Sequence, residues 1–347
     1  MSLRARWALF ILLITSVVIY FLRIYNLERL PKQQQLEFRG QTMGTIPYSV
    51  KMLWSESLPL GYGIDSVLKA FNQSLSTYLP DSEISTFNRA DSLVYESSMF
   101  YPVLQRSKEI YEHTSGAFDP TVGPLVNAWG FGPDRSIETP DAAVIDSLIK
   151  LTGFDKIRFS QQLVTKNPGM YLDFSAIAKG YAIDLVGAYL ESFGAKDYLV
   201  EIGGEVRARG QNLKGSGWTI GIDDPLVEKT ERKILAILEV NDLSLATSGN
   251  YRNYYEKDGK TYAHIIDPRT GYNRQHNLLS ASVFTPDCMS ADAYATGFMV
   301  MGLDDARNLV EQTDQMEAVL VYQENSVVKT YVSPGLQSKI RQLNTDQ

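Results

Sequence analysis

Soft-metal and redox chemistry is nearly absent from this chain. One cysteine, Cys288, stands among 347 residues, so neither an internal disulfide nor a cysteine-built metal centre is available. Cys288 also lies far from the N-terminus, which excludes a lipid-modified cysteine after a leader. Histidine is scarce too, and His113, His264 and His276 alone argue against a His-rich zinc centre. Any metal is expected to be a hard cation held by oxygen. The net charge is −7, and no basic cluster follows the first few dozen residues, so nothing marks a nucleic-acid surface. The dinucleotide fingerprint is missing, because Gly215-Ser216-Gly217 lacks a third glycine and opens no helix. No internal repeat or low-complexity block interrupts the body. What remains is ordinary globular material: 44% hydrophobic and 21% charged residues, enough for one large domain or two smaller ones. Twenty tyrosines suit extended segments and stacking surfaces.

The chain opens with an uncharged, mainly apolar run, Trp7 to Leu22, set between Arg4, Arg6 and Arg23. Snorkelling arginines, with Ile24 and Tyr25, lengthen it toward a membrane span. A cleaved signal peptide is the competing reading, but no small-x-small site follows the bulky residues. An uncleaved anchor over 1–25 is therefore expected, with a polar linker over 26–37, a folded body over 38–336 and a tail over 337–347. Basic residues on both flanks leave the orientation open.

Within the body, Phe38 to Leu53 reads as a hairpin, and Gly61 to Leu75 and Pro102 to His113 read as amphipathic helices. The segment between those helices is polar and punctuated by Pro80. Gly116 to Gly132 mixes apolar residues with glycine and proline and predicts a loop that comes close to something. Asp141 to Thr152 reads as a helix, and Ile157–Val164 and Met170–Leu172 as strands. From there the chain turns into a helix carrying Ile177, Tyr181 and Leu185, with Ser175 expected as N-cap and Gly194 as terminator. Asp173 sits at the strand tip; a free helix start beside an acid suits an anion, though Asp173 could merely assist the cap. Asp258-Gly259 marks a hairpin. Ser290 to Gly302 is a second informative helix, expected to be capped by Ser290. Asp292 and Thr296 lie four residues apart, so their oxygens share one face and could share one hard cation. A helix-start aspartate is also a common capping choice. A helix over Asp304–Thr313 and a strand pair, Ala318–Tyr322 with Lys329–Val332, follow.

Several ordered blocks together resemble the ApbE family, flavin transferases that attach FMN to target proteins from FAD. They are Gly40-Gln-Thr-Met-Gly-Thr45, Leu75-Ser-Thr-Tyr78, Ser82 to Asn88, Phe118 to Gly132, Asp173 to Ala182, Ile202-Gly-Gly-Glu205, Thr247 to Tyr255, His264 to Gly271 and Ser290 to Gly297. The resemblance spans about residues 38–335. It implies an α+β, ApbE-like fold: a mixed, mostly antiparallel sheet, surrounding helices and an FAD cleft between lobes.

It also implies roles. Met43 and Tyr78 match positions against the isoalloxazine ring; Ala117, Phe118 and Asp119 match the loop lining the FAD site; Asp173, Lys179 and Ile266 match further FAD contacts. The Ala176 carbonyl, Asp292 and Thr296 match Mg²⁺ ligands, all oxygens as Mg²⁺ requires. His264 is the candidate for assisting deprotonation of the acceptor hydroxyl. The implied reaction moves FMN from FAD to a threonine or serine oxygen and releases AMP. The implied acceptor is a flavoprotein subunit of a respiratory or electron-transfer complex, and the implied location is a bacterial inner membrane with the body facing the periplasm. Each residue also has a plainer reading: Tyr78 as packing, His264 as a hydrogen-bonded strand residue, Arg252 as a partner of Asp267. The chain departs from the family in lacking an N-terminal cysteine and in carrying Ala295, which leaves one carboxylate on the second helix for metal. Two neighbouring functions share such a site: hydrolysis of FAD to FMN and AMP, and FAD storage without turnover.

Overall fold

The computed structural model describes residues 15–20, 33–55, 59–131, 140–227, 233–249, 254–257, 260–263, 265–274 and 276–344. Its strands in chain order are β1 (Gln34–Thr42), β2 (Ile46–Trp54), β3 (Ser92–Val94), β4 (Arg158–Phe159), β5 (Leu163–Thr165), β6 (Tyr198–Ile202), β7 (Glu205–Arg209) and β8 (Trp218–Asp223). They continue as β9 (Ile234–Val240), β10 (Leu243–Gly249), β11 (Tyr254–Lys257), β12 (Lys260–Ala263), β13 (Leu278–Thr285), β14 (Glu317–Glu324), β15 (Val327–Val332) and β16 (Ile340–Leu343). The helices are α1 (Leu60–Leu75), α2 (Glu83–Arg89), α3 (Phe100–His113), α4 (Gly123–Ala128), α5 (Ala142–Ile149), α6 (Ala178–Ser192), α7 (Cys288–Met301) and α8 (Leu303–Gln312).

Among the described residues, eight strands form the main sheet in the order β1-β2-β6-β7-β10-β13-β14-β15, and every neighbouring pair is antiparallel. The expected parallel admixture is reduced to one isolated bridge, Gly203 to Glu205. Both faces are covered, so central strands are apolar on both sides. β14 shows the alternation directly: Ala318 and Leu320 enter the core under the helices, while Val319 and Val321 enter a second core. That second core lies beneath the three-stranded sheet β16-β9-β8, through Trp218, Ile220, Leu238 and Val240. The helical face holds α6 and α7 side by side.

Several local expectations change, and Ile157–Val164, expected as one strand, is split into β4 and β5, which pair antiparallel. β1 begins at Gln34, inside the segment read as linker, where Gln34 to Glu37 pair with Lys51 to Trp54. Residues 340–343, read as tail, form β16 and pair with β9. The polar segment after α1 contains α2, which Ser82 caps by accepting the Ser85 N–H at 3.1 Å while Ile84 and Phe87 are buried. Met170–Leu172 is no strand; the Asn88 amide replaces a strand partner, accepting the Leu172 N–H and donating to its carbonyl, both at 2.8 Å.

The expected anchor falls largely on residues 1–14 and 21–25, outside the described residues. Among the described residues no helix is long and apolar enough to cross a membrane.

Candidate functional site

The approach to α6 is built by local hydrogen bonds. The Asp173 N–H donates to the Pro120 carbonyl at 2.8 Å, tying this segment to the glycine- and proline-rich loop. The Asp173 carboxylate accepts the Ser175 N–H at 2.8 Å and the Ser175 hydroxyl at 2.5 Å. The expected cap is thus reversed: Ser175 donates to Asp173, and α6 begins at Ala178 with Ile177 at the cap position and no side-chain cap. The reason is competition, since an aspartate two residues earlier closes its own turn on the same serine.

The helix start is completed from far away. The Gly180 N–H donates to Asp292 Oδ2 at 3.0 Å, across 112 residues. In return Asp184 of α6 accepts the Cys288 and Met289 N–H groups, at 2.9 and 2.8 Å, at the start of α7. Each helix caps the other. Such proximity needs Gly180, because a Cβ there would stand 2.1 Å from the Cys288 carbonyl oxygen. The local cap of α7 is Asp287, which accepts the Ser290 N–H at 2.8 Å; Ser290, expected as cap, sits inside the first turn. Asp184 also receives Arg207 at 2.7 Å. Burial pushes the Asp184 carboxyl up to about 6 against the pull of that guanidinium.

This pairing aims Asp292 and Thr296 into a cavity of about 320 Å³. Asp173, Ala176 and Lys179 line it from α6 and its approach, Ala117, Phe118 and Asp119 from the loop, and Ile266 lines it as well. The lining combines apolar residues, Phe118, Val122, Val126, Ile265 and Ile266, with polar ones, Asp292, Lys179 and Asp173. Asp292 is buried at 5% exposure and Thr296 is half-buried. The Lys179 ammonium lies 3.4 Å from Asp292 Oδ1 and 3.6 Å from Glu205 Oε1. Burial works to lower the Lys179 pKa, but the two carboxylates outweigh it and hold the ammonium above its ordinary range.

Not every expected residue reaches this cavity. Asp119 lines it, yet its carboxylate is engaged within the loop, accepting the Thr121 N–H (2.7 Å), the Thr121 hydroxyl (2.6 Å) and the Phe154 N–H (3.2 Å). Burial pushes its carboxyl up to about 6 despite those donors. Met43 and Tyr78 are outside the lining. Met43 packs half-buried on the core with a left-handed φ of +48° in the β1–β2 turn, and Tyr78 is 76% exposed after α1. His264 and Arg252 lie outside the described residues; Asp267 pairs with Arg269 at 2.8 Å.

Sequence reasoning missed Glu205, Gly203 and the Thr247–Gly249 end of β10, all on the lining. The signal for Glu205 was present in Ile202-Gly203-Gly204-Glu205. Both glycines take positive φ, +63° and +107°, in a two-residue hairpin turn that pairs Ile202 with Glu205 and fixes the carboxylate beside Lys179.

The donor set fits a hard divalent cation. Among the described residues no group of three His, Cys, Asp or Glu side chains could hold a metal. Asp292, the Thr296 hydroxyl and the Ala176 carbonyl offer oxygen only, too few for a closed protein cage and suited to Mg²⁺ shared with phosphate and water.

A sequence model of the ApbE family matches residues 43–320. FAD:protein FMN transferase of Vibrio cholerae is 38% identical over 308 residues, covering 86% of this chain and 91% of that protein. The protein of that name from Escherichia coli K12 is 36% identical over 316 residues, 86% and 87% of the two chains. Among solved structures, the flavin transferase ApbE from Vibrio cholerae superimposes with a TM-score of 0.79 at 35% identity, over 88% of this chain and 99% of that one. The apo flavinyl transferase ApbE of Pseudomonas stutzeri gives 0.79 at 33% identity, over 89% and 97%. Matched over most of its length in both sequence and fold, this chain belongs to the ApbE family.

Proposed function

We propose that this protein is an FAD:protein FMN transferase that uses Mg²⁺ to move FMN from FAD onto a threonine or serine hydroxyl of a target protein, with release of AMP. The observation that carries the proposal is one cavity of about 320 Å³ whose lining combines apolar Phe118 and Ile266 with polar Asp292, Thr296 and Lys179. The isoalloxazine ring is flat and largely apolar and the pyrophosphate is anionic, so the lining offers groups for both parts of FAD.

The acceptor oxygen attacks the FMN-side phosphorus, the acceptor proton leaves, and the phosphoanhydride bond to AMP breaks. Asp292, Thr296 and the Ala176 carbonyl would hold Mg²⁺, which would supply neutralisation of charge on the pyrophosphate. Lys179 adds a positive charge beside Asp292. Asp173 lines the cavity from the turn that leads into α6 and is assigned to FAD. His264 is assigned as the group that takes the acceptor proton. Met43 and Tyr78 are assigned to the isoalloxazine ring, Tyr78 stacking only once FAD extends beyond the cavity. The acceptor is a flavoprotein subunit of a respiratory or electron-transfer complex. The body is assigned to the periplasmic side of the inner membrane; the Trp7–Leu22 run supports the membrane anchor, and the family resemblance supplies the side.

The test is incubation of the protein with FAD, Mg²⁺ and a domain carrying an acceptor threonine. Covalent flavin fluorescence on the acceptor with one AMP per label is expected. AMP and free FMN without labelling would replace transfer with hydrolysis, and bound FAD without turnover would replace it with storage.

A further inference from the structure

Lys179 occupies an unusual position for a ligand-binding lysine. Its ammonium is already paired, at 3.4 Å with Asp292 and 3.6 Å with Glu205, and both carboxylates are almost sealed, their side chains 6% and 4% exposed. The lysine itself is 26% exposed, so it closes over the carboxylates from the cavity side. The acid it covers, Asp292, is the one carboxylate of the proposed metal site. A cation that binds Asp292 must therefore share it with an ammonium, and two cations on one carboxylate repel strongly when little water screens them. Glu205 supplies the alternative. It is fixed by the Gly203–Gly204 turn rather than by either helix, so it stays in place whatever Asp292 does.

We propose that Lys179 is an internal stand-in for the divalent cation: it neutralises Asp292 in the metal-free protein, yields that carboxylate when the metal arrives, and is then kept at the cavity wall by Glu205. This rests on the metal assignment of the preceding section. Glu205 is a positioning residue, acting on the metal only through the choice it offers Lys179. An empty site then carries no bare buried carboxylate, which would otherwise be costly.

The test is Mn²⁺ binding to the full chain without FAD, followed by electron paramagnetic resonance, with thermal melting in parallel. Lys179→Met should bind Mn²⁺ about tenfold tighter than wild type, since its competitor is gone. It should also melt lower than wild type without metal and recover when Mn²⁺ is added. Lys179→Arg should return the affinity toward wild type. Glu205→Gln should weaken Mn²⁺ binding several-fold by leaving the ammonium to Asp292 alone, and the same change in the Lys179→Met background should have no effect. Unchanged or weaker binding by Lys179→Met overturns the stand-in role. An equal Glu205→Gln effect in both backgrounds overturns the positioning role, because Glu205 would then act on the metal directly. Asp292→Asn separates the premise: if it binds Mn²⁺ like wild type, the metal assignment fails and the proposal with it, whereas loss of binding there with no change in Lys179→Met sinks the stand-in alone.

Discussion

Asp292 and Asp184 do the same thing at opposite ends of one helix contact. Each belongs to one helix and accepts backbone N–H groups from the start of the other. Their third partners differ. Asp184 meets Arg207, a guanidinium 14% exposed and held further by Glu191, so every bond it makes is internal to the fold. Asp292 meets Lys179 beside the cavity. A buried carboxylate with a fixed arginine is architecture; the same carboxylate with a lysine and open space is a binding group. The capping bond alone would not tell them apart, and the third partner does.

Substitutions can break this contrast. Asp292→Asn keeps an acceptor for Gly180 and removes the charge, so turnover with FAD and Mg²⁺ should fall about 10³-fold while the melting temperature changes little; near-normal activity would erase the distinction. Asp184→Ala should do the reverse. It strands Arg207 and two N–H groups, at a cost of about 3–5 kcal/mol in urea unfolding, with kcat of the folded fraction preserved. Gly180→Ala should strike both ends together, since helices forced apart lose packing by about 1–3 kcal/mol and displace Asp292; loss of stability without loss of activity would show that the contact does not set the site.

Asp119 offers a pH test of a carboxylate that is architectural although it lines the cavity. Burial raises its folded pKa to about 6, above the ordinary aspartate range, so its contribution favours folding at low pH and is lost as pH rises through about 6. Relative to wild type, Asp119→Asn should gain about 2 kcal/mol between pH 4 and pH 7 in denaturant titrations. The smallest effect is expected at Tyr78. It is exposed, so Tyr78→Ala should leave stability alone and raise the KM for FAD by about tenfold or less.

How legible this was depended on distance along the chain. Helices with a clear apolar stripe, α1 and α3, and the β14–β15 pair could be read from periodicity. The i, i+4 placement of Asp292 and Thr296 could be read as well, because four residues is one turn. Asn88 replacing a strand beside Leu172, 84 residues away, could not, since a side-chain amide leaves no periodic trace. α2 was hidden because its buried residues include polar Glu83 and Ser85 beside Ile84 and Phe87, which leaves no clear apolar stripe. The caps at Ser175 and Ser290 were misplaced for one reason: an aspartate two or three residues upstream took the bond first. The partners of Lys179 come from two distant elements, so its residue type was visible and its restraint was not.

The reciprocal caps also set an order of events during folding. When α6 leaves the ribosome, Gly180 has no acceptor until residue 292 has been made, and the start of α7 finds Asp184 already waiting 104 residues behind it. The cavity therefore cannot exist in a partly synthesised chain. A flavin nucleotide therefore meets Asp292 and Thr296 only in a nearly complete protein. Amides at the α6 start should accordingly gain hydrogen-exchange protection only together with those of α7.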